Sequence, residues 1–169
     1  AFTDGSGVRA RLARIQERGF LPREIVGLYT GGTLAHETHL LLDVLLGHDA
    51  SRRILDLGDD QYTVGRPHPM IDPQPRTDMI LKIGGEWAGV LLVDLVLGRG
   101  SHPDPAGPLA AAIREASRAA AAAGRRLIAV GSVVGTVGDP QGVAGQVAQL
   151  EEAGIELFPS NAEAARFAA

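Results

Sequence analysis

Gly89-Val90-Leu91-Leu92-Val93-Asp94-Leu95-Val96-Leu97 is the strongest strand signal in the chain. Its apolar character is nearly continuous and not alternating, the pattern of a central parallel strand covered on both faces. Asp94 interrupts it, and the run is far too short to cross a bilayer. Outward from it, short β-branched runs alternate with longer helical patterns. Ile25 to Tyr29, Ile54 to Leu57, Arg126 to Val130 and Ile155 to Phe158 read as further strands. Between and after them, Thr33 to Leu46, Thr77 to Glu86, Leu109 to Ala123 and the segment from Asp139 to Ala153 read as helices. Asp139 is a plausible N-cap with Pro140 at the first helical position. Ser160 with Glu163 three residues later forms a capping box for a last helix.

Such alternation predicts an α/β fold, a doubly wound parallel five-stranded sheet with helices on both faces. Sites in these folds gather at the carboxyl edge, where strands end and helices begin. A helix over residues 7–18 precedes the first strand.

The bulk numbers agree with one domain. A chain of 169 residues buries about 70% of its unfolded surface. Its 45% hydrophobic and 21% charged residues fit an ordinary globular protein. The net charge of -4 and the scattered arginines give no basic footprint for nucleic acid. There are no cysteines, which excludes disulfides, thiolate metal sites and a cysteine nucleophile. That composition fits a reducing cytosol, and a cytoplasmic location is expected. The start, Ala1-Phe2-Thr3-Asp4, carries neither Met nor a basic signal region and is expected of a fragment.

Four stretches could carry chemistry. Thr30-Gly31-Gly32-Thr33 joins the first strand to its helix. Its glycines allow close backbone approach, and the helix N-terminus favours an anion, so Gly31, Gly32 and Thr33 are candidate phosphate binders. A plain capped turn is the alternative. Asp56-Leu57-Gly58-Asp59-Asp60 leads into Gly65-Arg66-Pro67-His68-Pro69-Met70-Ile71-Asp72-Pro73. There Arg66 offers a fork for phosphate or carboxylate, and His68 is held between prolines. Asp59 and Asp60 could hold a cation or orient a base. A proline-stiffened surface loop would look the same. Asp94, if buried, needs a partner, which Arg99 or His102 could supply; a structural ion pair or an exposed strand-end acid is the alternative. Finally, Gly131 to Gln141 is expected to wall any pocket, with a helix-capping loop as the alternative. No HxH or HExxH spacing supports a metal, and no nucleophile elbow appears.

Together these stretches, with Gly100-Ser101-His102-Pro103-Asp104-Pro105, Asp139-Pro140-Gln141 and Ser160 to Arg166, resemble the FdrA family from about Gly27 to the end. More distantly the chain is similar to the flavodoxin-like ligase domain of the succinyl-CoA synthetase α subunit. The resemblance implies that residues 1–20 link to a preceding CoA-binding-like domain and that 21–169 form the ligase domain. It implies phosphate, or CoA and nucleotide through that other domain, as cofactors. It also implies other subunits or a homo-oligomer, a small-molecule anion, and neither nucleic acid nor membrane. Gly32, Thr33 and Leu34 correspond to a helix entry that helps bind phosphate in those ligases. The departure is in the loop after the fourth strand, where the ligases carry a phosphorylated His in a Gly-His-Ala signature. Gly131 to Gln141 contains no His. The resemblance therefore implies acyl or carbamoyl transfer involving phosphate, in purine breakdown, with His68, Arg66 and Asp94 as catalytic candidates. A non-catalytic assembly module with the same fold is the alternative.

Overall fold

The computed structural model describes residues 10–13, 15, 24–49, 52–86 and 89–169. Among the described residues five strands form one sheet: β1 (Ile25–Tyr29), β2 (Arg53–Asp56), β3 (Gly89–Val96), β4 (Leu127–Val134) and β5 (Glu156–Phe158). They lie in the order β2-β1-β3-β4-β5, and every pairing is parallel. The helices are α1 (Gly32–Leu46), α2 (Asp60–Thr63), α3 (Gln74–Glu86), α4 (Ala106–Ala122), α5 (Val143–Glu152) and α6 (Asn161–Ala168). This is the flavodoxin-like order, whose switch point lies between β1 and β3.

The period-two geometry of the strands divides the core into two layers. On one face Val26, Leu28, Leu91 and Val93 meet α3, α4 and α5 through Ile80, Ile113 and Leu150. On the other, Tyr29, Leu92 and Val130 meet α1 and α6 through Leu42 and Ala164. Leu91 and Leu92 point to opposite faces, yet both are completely buried. Each such side chain is worth about 1.5–3 kcal/mol. This two-sided burial is why β3 reads as a continuous apolar run. The alanines of α4 serve closeness, since the backbone of Ala116 lies against Gly84 of α3 with no room for a Cβ there.

Several expected boundaries move. β4 runs on to Val134 where a loop was expected from Gly131, because its neighbour β3 continues and supplies partners for Gly131 to Val134. Gly131 is a strand glycine, and a Cβ there would stand 2.6 Å from the carbonyl oxygen of Val93. Asp139 does not cap α5. Its carboxylate accepts from the N–H and hydroxyl of Thr136 and closes a turn, and α5 starts after the left-handed Gly142 (φ 71°). Ser160 does cap α6, accepting from the N–H of Glu163 at 3.2 Å. The long polar loop after β2 contains the single turn α2, and α3 starts at Gln74, three residues before Thr77.

Of the helix expected over residues 7–18, residues 10–13 and 15 are helical, and the others lie outside the described residues. Arg11 donates to the carbonyl of Leu157 at 2.8 Å and stacks 5.1 Å from the ring centre of Phe158. That anchors this segment to β5. Among the described residues no helix is long and apolar enough to cross a membrane.

Candidate functional site

The carboxyl edge has two distinct seams. At the switch point between β1 and β3 stands Asp94, 1% exposed. Its Oδ1 accepts from the N–H of Thr30 at 2.9 Å, and its Oδ2 accepts from the N–H of Gly31 at 2.9 Å. The Thr30 hydroxyl donates as well, at 3.1 Å. Neither Arg99 nor His102 is its partner. Arg76, buried on α3, donates from Nη1 to Oδ1 at 3.0 Å and to the backbone oxygen of Asp94 at 2.8 Å. Burial pushes the Asp94 carboxyl up, while Arg76 and the Thr30 and Gly31 donors pull it back. An acceptor surrounded by donors, one of them a guanidinium, is held as the carboxylate. Both carboxylate oxygens of Asp94 are thus engaged by protein donors at the switch point.

The seam between β1 and β2 is different. Asp56 ends β2 and accepts from the N–H of Gly58 at 2.9 Å. Its other oxygen lies where a side chain at position 32 would go, 2.5 Å from an added Cβ. His68 folds over Gly58, so that a Cβ at position 58 would lie 2.5 Å from Nε2 of His68 and 3.1 Å from Oδ1 of Asp56. Two glycines thus let a carboxylate and an imidazole close upon the start of α1. Helices leave their first N–H groups without internal acceptors. Here the N–H of Gly31 goes to Asp94, whereas those of Gly32 and Thr33 carry no protein acceptor among the described residues.

Arg66, Asp59 and Asp60 lie on the short helix and loop that follow β2. Arg66 is exposed, and its guanidinium engages no protein group among the described residues. Asp59 is the N-cap of α2, its Oδ1 accepting from the N–H of Gln61 at 3.0 Å. Asp60 sits exposed in the first turn of that helix. No group of three His, Asp or Glu is gathered to hold a metal among the described residues. The loop after β3 is pinned from the β4 side: Gln141 Nε2 donates to the oxygens of Gly98 (2.8 Å), Ser101 (2.9 Å) and His102 (3.3 Å). From the stretch expected to wall a pocket, Gln141 is thus the residue that braces the neighbouring loop. Val134 to Gly138 face solvent.

Sequence reasoning passed over two central residues. Asp56 belongs to a stretch it singled out, but the weight fell on Asp59 and Asp60. The signal was available, since a carboxylate that ends a parallel strand stands at the edge where such folds place their sites. Arg76 carried no local signal beyond being an arginine on a helix with a buried face.

Comparison with known proteins fits this geometry. The CoA-ligase family profile matches residues 28–169. The uncharacterized protein YahF of Escherichia coli (strain K12) is 38% identical over 175 residues, covering 91% of this chain and 32% of that protein. The chain thus spans about a third of the length of this curated relative. With the flavodoxin-like sheet, the helix start after β1 and a family match over most of its length, the chain belongs to the CoA-ligase family.

Proposed function

We propose that this domain handles the anion in a phosphate-dependent acyl or carbamoyl transfer carried out within a larger assembly. The observation that carries this reading is the pair of unengaged amides at Gly32 and Thr33, flanked by Asp56 and His68. A helix start of this kind attracts phosphate or carboxylate. In the FdrA-like form of the reaction, oxalurate and phosphate give oxamate and carbamoyl phosphate. A phosphate oxygen bonds to the ureido carbonyl carbon, the bond from that carbon to the oxamate nitrogen breaks, and the proton of monohydrogen phosphate ends on that nitrogen. In this reading Gly32 and Thr33 hold the phosphate, the free guanidinium of Arg66 balances charge, and His68 meets the oxygen that becomes negative. Asp94, whose carboxylate oxygens are engaged by protein donors, positions Thr30 and Gly31 and through them the start of α1.

The test is phosphorus NMR of the complete gene product with its co-purifying subunits, supplied with phosphate and oxalurate. The expected result is a carbamoyl phosphate signal whose rate of appearance falls by about tenfold or more in Arg66→Ala. Acyl-CoA formed only with CoA and a nucleoside triphosphate would replace this reading with a ligase reaction that dispenses with the usual phosphohistidine loop. One further observation favours a second reading, an assembly module without chemistry of its own. Leu40 (52% exposed) and Val44 (81%) lie one turn apart on α1 and present apolar surface to solvent. No turnover under either condition would support it.

A further inference from the structure

Two loops at the carboxyl edge repeat one small structure. In His68-Pro69-Met70 the N–H of Met70 donates to Nδ1 of His68 at 3.2 Å. In His102-Pro103-Asp104 the N–H of Asp104 donates to Nδ1 of His102 at 3.1 Å. The central proline fixes φ and removes its own N–H, which leaves the third residue as the donor that can reach back to the ring. The two turns are also joined. The N–H of His102 donates to the carbonyl of Met70 at 2.7 Å. One residue, Met70, therefore gives its N–H to the first imidazole and takes the N–H of the residue bearing the second.

This arrangement decides a chemical property. A ring nitrogen that accepts a hydrogen bond carries no proton, so each neutral imidazole holds its proton on Nε2. Neither Nε2 has a protein acceptor among the described residues, and both side chains are half-buried. In His68 that atom stands over Gly58 beside Asp56.

We propose that His68 and His102 are a coupled pair of fixed Nε2–H donors that hold oxygens of an anionic substrate, a carboxylate or a phosphate. The proposal rests on the anion-transfer reading of the same edge and sharpens it. His68 serves there as a hydrogen-bond donor to developing negative charge, not as the base that removes a proton. Donors already aimed at such an oxygen need no reorganisation as the charge appears. His102, which has no other part in the site, gains one through Met70.

The experiment is long-range proton–nitrogen correlation NMR of the protein carrying 15N-labelled histidine, with His68→Gln and His102→Gln used to assign the signals. Both rings are expected to show a protonated Nε2 and a bare Nδ1. His36, exposed on α1, is expected to show tautomers in exchange. Titration with inorganic phosphate, and separately with oxamate, should then move the Nε2 signals of both rings. Movement with phosphate alone identifies phosphate as the ligand, and movement with oxamate alone identifies the carboxylate. A protonated Nδ1 or exchanging tautomers in either ring overturns the proposal, as do locked rings that neither anion moves. These outcomes do not depend on turnover, so a failed transfer reaction and a failed donor pair are told apart. If turnover is present, His68→Gln, which keeps an N–H but loses the base, should stay within about tenfold of the parent. His68→Ala should fall by about a hundredfold or more. Equal losses in the two variants would return His68 to the role of base.

Discussion

Asp94 and Asp56 both sit near the carboxyl ends of their strands, on either side of β1, and the protein uses them in opposite ways. Asp94 has both carboxylate oxygens engaged, with Thr30, Gly31 and Arg76 around it, and it is sealed from solvent. Asp56 makes one short-range bond to Gly58 and stays half-exposed next to an unlinked Nε2 and unlinked amides. The difference follows from what covers each seam. α3 lays Arg76 across the end of β3, and a buried guanidinium must be matched by a charge. At the end of β2 the loop bearing His68 meets the start of α1, and glycines at 32 and 58 leave space that side chains would have filled. A flavodoxin-like fold ordinarily offers its switch point to ligands. Here Arg76, Thr30 and Gly31 tie up the carboxylate at that crevice, and the half-exposed carboxylate of Asp56 stands one strand toward the sheet edge.

The sharpest way to break this contrast is to neutralise each carboxylate in turn. Asp94→Asn should destabilise the protein by about 3–5 kcal/mol, because it leaves Arg76 buried without a counter-charge. Asp56→Asn should cost about 1 kcal/mol or less, the order of one partly exposed hydrogen bond. Urea unfolding of both variants decides it, and similar losses would mean that Asp56 is as structural as Asp94.

A smaller effect separates two glycines. Gly84→Ala drives a methyl into the backbone of Ala116, which the packed helices α3 and α4 cannot move aside, and should cost about 1–3 kcal/mol. Gly58→Ala meets only side-chain ends, Nε2 of His68 and Oδ1 of Asp56, so it displaces the ring from the position that the Met70 N–H holds. Its melting temperature should stay near that of the parent, while phosphate affinity measured by calorimetry falls. A Gly58→Ala protein that unfolds early would show the His68 seam to be packed tightly and not poised for a ligand.

The smallest effect concerns acid. Gln146 and then Gln149 and the N–H of Gly107 hold the Asp104 carboxyl below the usual carboxylate range. Its folded pKa is therefore below its unfolded value of about 3.9. The stabilisation it gives is present above that value and disappears as pH falls through the folded one. Asp104→Asn should be less stable than the parent near neutrality, and the gap should close as unfolding is followed down to about pH 3. A gap that is unchanged by pH would mean that the Asp104 charge has no part in bracing this loop.

The legible parts of this protein were the ones written in short windows. The apolar run around Leu91 and Leu92, the alternation of strands with helices and the capping box at Ser160 are local patterns. Their physical causes, burial on both faces and the satisfaction of end amides, act within a few residues. Gly131 to Val134 was misread because glycine and serine look like loop formers locally, while a neighbouring strand with free backbone groups outweighs that preference. Asp139 was misread as a cap because its own turn with Thr136 competes for the same carboxylate.

By itself, then, the sequence determined the α/β class and the order of the strands and main helices. Only the tertiary structure decided which charges meet. It gave Asp94 to Arg76, left the amides of Gly32 and Thr33 open, and tied His68 to His102 through Met70. The physical reason is distance along the chain. Secondary structure answers to neighbours in sequence, whereas a buried charge answers to whatever helix the fold lays over it.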